Sequence, residues 1–100
     1  MIDVSEHDLK TVQNILKTHA PECAVRAFGS RVKGAAEKYS DLDLVFLSPK
    51  KLPRKTLVLL KEAFEESDLP FRVDVLDWHT ISNEFRKLIS EHCTTVQKEL

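Results

Sequence analysis

The sequence predicts an α/β domain, a small sheet of three or more strands flanked by about four helices. Three observations carry that expectation. Segments with apolar residues at helical spacing alternate with short runs of β-formers, in the order helix, strand, helix, strand, helix, strand, helix. One of those runs, Leu42 to Leu47, is almost continuously apolar, as a strand covered on both faces should be. Proline and Gly-Ser breaks punctuate the chain between the segments.

Each element has its own signals. Ser5 is placed to cap a first helix, with Asp8 as a weaker stand-in for the capping-box glutamate. Leu9, Val12, Ile15 and Leu16 stripe that helix to about Thr18, and Pro21 lies beyond its end. Ala24 to Phe28, interrupted by Arg26, reads as a strand running into Gly29-Ser30, and Arg31 to about Glu37 as a short helix starting at that turn. Tyr39-Ser40 leads into the central strand. Pro49 and Pro53 bracket a turn, with Pro53 near the start of a helix striped by Leu57, Leu60 and Phe64 and ended by Asp68-Leu69-Pro70. Phe71 to Leu76 is a third strand. Ser82 or Asn83 caps a last helix expected to carry Phe85, Leu88, Ile89 and Cys93 on one face.

Composition narrows the function classes. The chain has 100 residues, 42% apolar and 31% charged, with a formal net charge of −1. That is ordinary for one globular domain spanning 1–100. It leaves no whole-chain electrostatic footprint for DNA binding. The cluster Lys50, Lys51, Arg54, Lys55 reads better as solvated loop and helix start than as a nucleic-acid patch. Cys23 and Cys93 lie far apart with no metal-ligand spacing, so neither a disulfide framework nor a zinc site is signalled. The N-terminus lacks a basic region followed by an apolar one, and no apolar run approaches the ~20 residues that span a bilayer. A cytoplasmic protein is expected.

The residues that carry chemistry are Gly29-Ser30, Asp41, Asp43 and Asp74. Asp41 and Asp43, two positions apart at the mouth of a strand, project to one side about 7 Å apart. Side-by-side carboxylates repel each other and resist desolvation, a cost that a bound cation removes. The Gly-Ser turn upstream offers small, open backbone to phosphate oxygens. Asp74 opens no strand but sits within one. If the strands are neighbours, the three carboxylates converge beside the turn, an arrangement suited to oxygen-coordinated Mg²⁺ and in-line transfer at phosphorus. Taken singly each has a plainer reading: a turn, an acidic edge, and a buried aspartate satisfied by Arg72 or Arg26. Asp77 reads as a cap or turn residue, and the four histidines as surface residues. Trp78 reads as packing for the last helix, and Tyr39 as packing on the short helix or covering a nucleotide.

Gly29-Ser30, ten residues, then Asp41-Leu42-Asp43 resembles the GSx10DxD signature of the DNA-polymerase-beta-like nucleotidyltransferase superfamily. The run Phe28 to Gly34, the segment Ser40 to Leu44, the strand Arg72 to Asp77 and the tail Ile81-Ser82-x-x-Phe85-Arg86-x-x-Ile89 are similar to the minimal nucleotidyltransferase group. Those are small domains often paired with an all-helical HEPN partner in prokaryotic toxin–antitoxin systems. The resemblance implies a mixed sheet in the polymerase-beta-like fold. It implies two Mg²⁺ ions held by Asp41, Asp43 and Asp74, with Asp74 also the base for the incoming hydroxyl. It further implies phosphates of ATP held by Gly29 and Ser30, with Arg31 and Lys33 as phosphate neighbours.

Two functions are therefore expected to compete. One is Mg²⁺-dependent transfer of AMP from ATP to a hydroxyl, the resemblance implying a tyrosine of a HEPN-type toxin that is silenced as a result. With 100 residues there is no second domain to bind an acceptor, which favours a protein partner and a hetero-oligomer. The other is a weakly catalytic or non-catalytic antitoxin that neutralises its partner by complex formation alone. The three costly carboxylates argue for the first.

Overall fold

The computed structural model describes residues 2–99. Four helices, α1 (Glu6–His19), α2 (Ser30–Lys33), α3 (Arg54–Glu66) and α4 (Asn83–Glu91), accompany four strands, β1 (Ala24–Phe28), β2 (Leu42–Leu47), β3 (Val73–Asp77) and β4 (Cys93–Gln97). A 3₁₀ turn, Trp78–Thr80, links β3 towards α4. The sheet order is β3-β2-β1-β4. β1 runs antiparallel to both β2 and β4, whereas β2 and β3 are parallel and joined through α3. The sheet is therefore mixed, as the resemblance implies.

Its two faces are covered unequally, and strand alternation explains the division. Leu42, Leu44 and Phe46 of β2 join Val12 and Leu16 of α1 and Leu60 and Phe64 of α3 in the main core. Val45, on the opposite face, joins Phe28 of β1 and Ile89 of α4 in a smaller cluster. Phe85 of α4 meets Phe28 edge-on, ring centroids 5.7 Å apart. Helix α4 packs on part of this second face, the face that also carries Asp43 and Asp74.

Local signals act as expected at several ends. The Ser5 hydroxyl accepts from the Asp8 amide at 3.1 Å, and Ser82 does the same for Phe85. Pro53 precedes α3, where its missing N–H costs nothing. Asp77 is buried and accepts hydrogen bonds from the amides of Leu52 at 2.8 Å and His79 at 2.9 Å. It thus ties the end of β3 to the loop before α3 and to the 3₁₀ turn.

The end of the chain corrects one expectation. Helix α4 stops at Glu91, the His92 amide closing back on the Ile89 carbonyl, and Cys93–Gln97 forms a fourth strand on β1. Cys93 therefore leaves the helix stripe, and Leu88 is 62% exposed instead of facing the core. Among the described residues no helix is long and apolar enough to cross a membrane.

Candidate functional site

The site forms where the start of β2 passes between the end of β1 and the start of β3. Phe28, the last residue of β1, is the register partner of Asp43, so the turn that follows β1 lies against that aspartate. On the other side Asp43 is the register partner of Asp74. In parallel strands such partners point to the same face, which places the two carboxylates side by side. Asp41 lies just before β2; the next amide, that of Leu42, donates to the Arg72 carbonyl at 2.8 Å and fastens the mouth of β2 to β3.

Gly29 is required by this geometry. Its φ of 82° and ψ of −156° lie where only glycine sits without strain. A Cβ added there would collide with Oδ2 of Asp43. Backbone and carboxylate thus share one small volume, and Ser30 begins α2 directly beside it. Gly34 closes α2 in the left-handed conformation.

The electrostatics are those of carboxylates held together against their repulsion. Asp43 is raised from its ordinary 3.8 to about 6, first by burial, then by the charge of Asp74, a side-chain hydrogen bond with Asp74, and the charge of Asp41. Arg72 Nη2 reaches Asp74 Oδ1 at 3.5 Å, a solvent-exposed pair that offsets the repulsion only weakly. A cleft of about 770 Å³ opens beside Asp41, with Tyr39, Lys61, Phe71 and Arg72 in its wall. Tyr39 is 69% exposed there rather than packed on the short helix.

Two of the expected phosphate neighbours part company. Lys33 is exposed at the end of α2. Arg31 is 7% exposed, and its guanidinium is already engaged. Nε donates to the Ser40 carbonyl at 2.9 Å, Nη1 to that of Asp3 at 2.8 Å and Nη2 to that of Lys38 at 3.1 Å. Arg31, expected as a phosphate neighbour, is found with each of its three guanidinium nitrogens on a carbonyl of this chain. These partners could not be found from sequence, since no periodicity links Arg31 to Asp3, Lys38 or Ser40. Among the described residues no three His, Cys, Asp or Glu side chains are already gathered as a metal-ligand set. The structure brings Asp43 and Asp74 together, with Asp41 adjacent.

Comparison with known proteins fits this geometry. A family model described as a nucleotidyltransferase domain matches residues 9–99. A probable protein adenylyltransferase of Haemophilus influenzae, MntA, is 48% identical over 98 residues, covering 98% of this chain and 86% of that protein. Among solved structures, a toxin–antitoxin complex with AMP-PNP contains a chain that superposes with a TM-score of 0.74 at 20% identity, over 89% of this chain and 72% of that one. A complex of tri-AMPylated Shewanella oneidensis HEPN toxin with MNT antitoxin gives 0.67 at 17% identity, over 91% and 70%. These likenesses establish a shared fold. Matched by the family model over nearly all its length, and close in sequence to a relative that is itself nearly covered, the chain belongs to the nucleotidyltransferase domain family.

Proposed function

We propose that this domain transfers AMP from ATP, with release of pyrophosphate, to a hydroxyl of a protein partner, a tyrosine of an all-helical HEPN-type toxin, and thereby acts as its antitoxin. The observation that carries the reading is the register pairing of Asp43 with Asp74 beside the Gly29 turn. Side-by-side carboxylates held against repulsion make sense where a cation and a triphosphate come to bind. The nature of acceptor and partner is supported by the 48% identity to a probable protein adenylyltransferase. Toxin–antitoxin complexes sharing the fold add to that support.

The donor set suits Mg²⁺. Two carboxylates in register, Asp43 being raised to about 6 first by burial and then by Asp74 and Asp41, gain from a divalent cation that neutralises both. Asp43 and Asp74 would hold the metal, with Asp41 joining them, and two ions suit the three carboxylates. When bound, the metal supplies charge neutralisation at the phosphates and acidifies the acceptor hydroxyl. The chain's own groups do the rest. The Gly29 turn and the Ser30 hydroxyl bind the terminal phosphates, and Lys33 adds a point charge. Asp74 takes the proton from the attacking hydroxyl.

The test is to incubate the purified chain with labelled ATP, Mg²⁺ and a helical partner encoded next to it, and to follow label and intact mass. The expected result is AMP on a partner tyrosine, lost in Asp41→Asn plus Asp43→Asn. No transfer by wild type, with neutralisation intact in that double variant, would instead establish inhibition by complex formation alone.

A further inference from the structure

We infer that Arg31 is a positioning residue of the transfer site: its guanidinium fastens the segment that delivers Asp41 to Phe71, just ahead of the strand that delivers Asp74. This rests on the reading of the site proposed above. Residues 35–41 contain neither helix nor strand, yet they end on Asp41. Their own hydrogen bonding is slight, the Ser40 amide to the Glu37 carbonyl at 3.1 Å and the Glu37 amide to the Ser40 hydroxyl at 2.8 Å. Without an external tie such a segment samples many conformations.

Arg31 supplies that tie from three sides. Nε and Nη2 hold the carbonyls of Ser40 and Lys38, the former directly preceding Asp41. The backbone of Asp41 is thus fixed on both flanks, by Arg31 at the Ser40 carbonyl and by Arg72 at the Leu42 amide. The guanidinium also stacks on Phe71, its Cζ 4.2 Å from the ring centroid, and Phe71 opens the segment that runs through Arg72 to Asp74. Nη1 and the Arg31 carbonyl both bond the backbone of Asp3, locking the N-terminal segment over the same point.

A buried cation is costly unless its hydrogen bonds are made. Here each guanidinium nitrogen has a carbonyl and the plane has an aromatic face, and among the described residues no buried side-chain polar atom lacks a partner. A smaller apolar residue would fill the space at less cost. What it could not do is join carbonyls from two segments across the face of Phe71. Lysine retains the charge and the stem, but one ammonium cannot span those acceptors.

The decisive variant is therefore Arg31→Lys, with Arg31→Gln beside it, compared with wild type by hydrogen exchange and by transfer kinetics well below the unfolding temperature. Exchange at residues 35–42 should quicken at least about 10-fold while β1 and β4 keep their protection. The transfer kcat should fall about 10- to 100-fold with the KM for ATP within about 3-fold, because reacting groups are displaced while the phosphate turn is intact. Unchanged exchange in that segment, unchanged kcat, or a loss of protection spread evenly over the sheet would each overturn the inference. The exchange arm needs no turnover, so an inactive wild type would sink the proposed reaction and still leave the clamp decided.

Discussion

Gly29 and the carboxylate of Asp43 occupy adjoining space, so that even a methyl group on Gly29 would overlap Oδ2. The contact is a consequence of register: Phe28 pairs with Asp43, and the chain turns immediately afterwards with a φ of 82°. Gly29→Ala should therefore act twice. The backbone strain should cost about 1–3 kcal/mol of stability, measured by denaturant unfolding. Displacement of Asp43 should lower transfer by about 100-fold or more in a labelled-ATP assay. An alanine variant with full activity would show that the turn and the carboxylate do not act as one site.

The metal-free protein should record the repulsion in its pH dependence. Asp43 is raised to about 6 in the folded chain from an ordinary 3.8, by burial and then by Asp74 and Asp41. The folded chain binds this proton more tightly than the unfolded one. Its contribution to stability is thus fully present below about pH 3.8 and is lost as pH rises through about 6. Asp43→Asn, neutral throughout, should be more stable than wild type at pH 7.5 in chelator. After allowance for solvent screening of this half-buried group, the gain is about 1 kcal/mol, or roughly 4–8 °C in Tm. The gain should shrink towards pH 4. Thermal unfolding across that range checks both statements, and a variant less stable than wild type at pH 7.5 would contradict them.

Mg²⁺ should compete with the same proton. Affinity for the ion should rise as pH is taken from 5 to 7 and flatten above, since the cation requires the ionised carboxylate. The rise in Tm on adding Mg²⁺ should accordingly be larger at pH 7.5 than at pH 5 and small in Asp43→Asn. Chelation should stop transfer to a helical partner while leaving the complex with that partner intact on gel filtration. Binding that is indifferent to pH over this range would place the ion elsewhere.

How much of this was legible in the sequence depends on whether a signal is local. The bounds of β1 and β2 and the caps at Ser5 and Ser82 follow from neighbours in the chain and are found where the pattern puts them. The pairing of Asp43 with Asp74 needs β2 and β3 to be adjacent, parallel and in one register, which no local pattern encodes. Cys93 reads as the tail of the last helix because Phe85, Ile89 and Cys93 recur at helical spacing. The vacant edge of β1 overrides that periodicity, aided by the β-branched Thr94, Thr95 and Val96. Arg31 was legible as a cation beside the Gly29-Ser30 turn. Its actual use is set by Phe71, forty positions on, and by carbonyls whose directions depend on the folded loop.

Asp77 provides the contrast between the proposed site and a carboxylate that serves the fold. It lies three residues beyond Asp74 and is 3% exposed, yet both its oxygens are taken by backbone amides, Oδ2 by Leu52 and Oδ1 by His79. An amide side chain keeps one acceptor and turns an NH₂ group on the other N–H, leaving a buried donor unpaired. Asp77→Asn should therefore cost about 1–3 kcal/mol of stability. Its folded fraction should retain kcat and KM within about 3-fold of wild type, because neither amide belongs to the Gly29–Asp43–Asp74 group. Denaturation midpoints together with single-temperature kinetics at 15 °C decide the matter. A variant of normal stability and abolished transfer would move Asp77 into the reacting site and make Asp74 only one of two carboxylates on β3 that the chemistry uses.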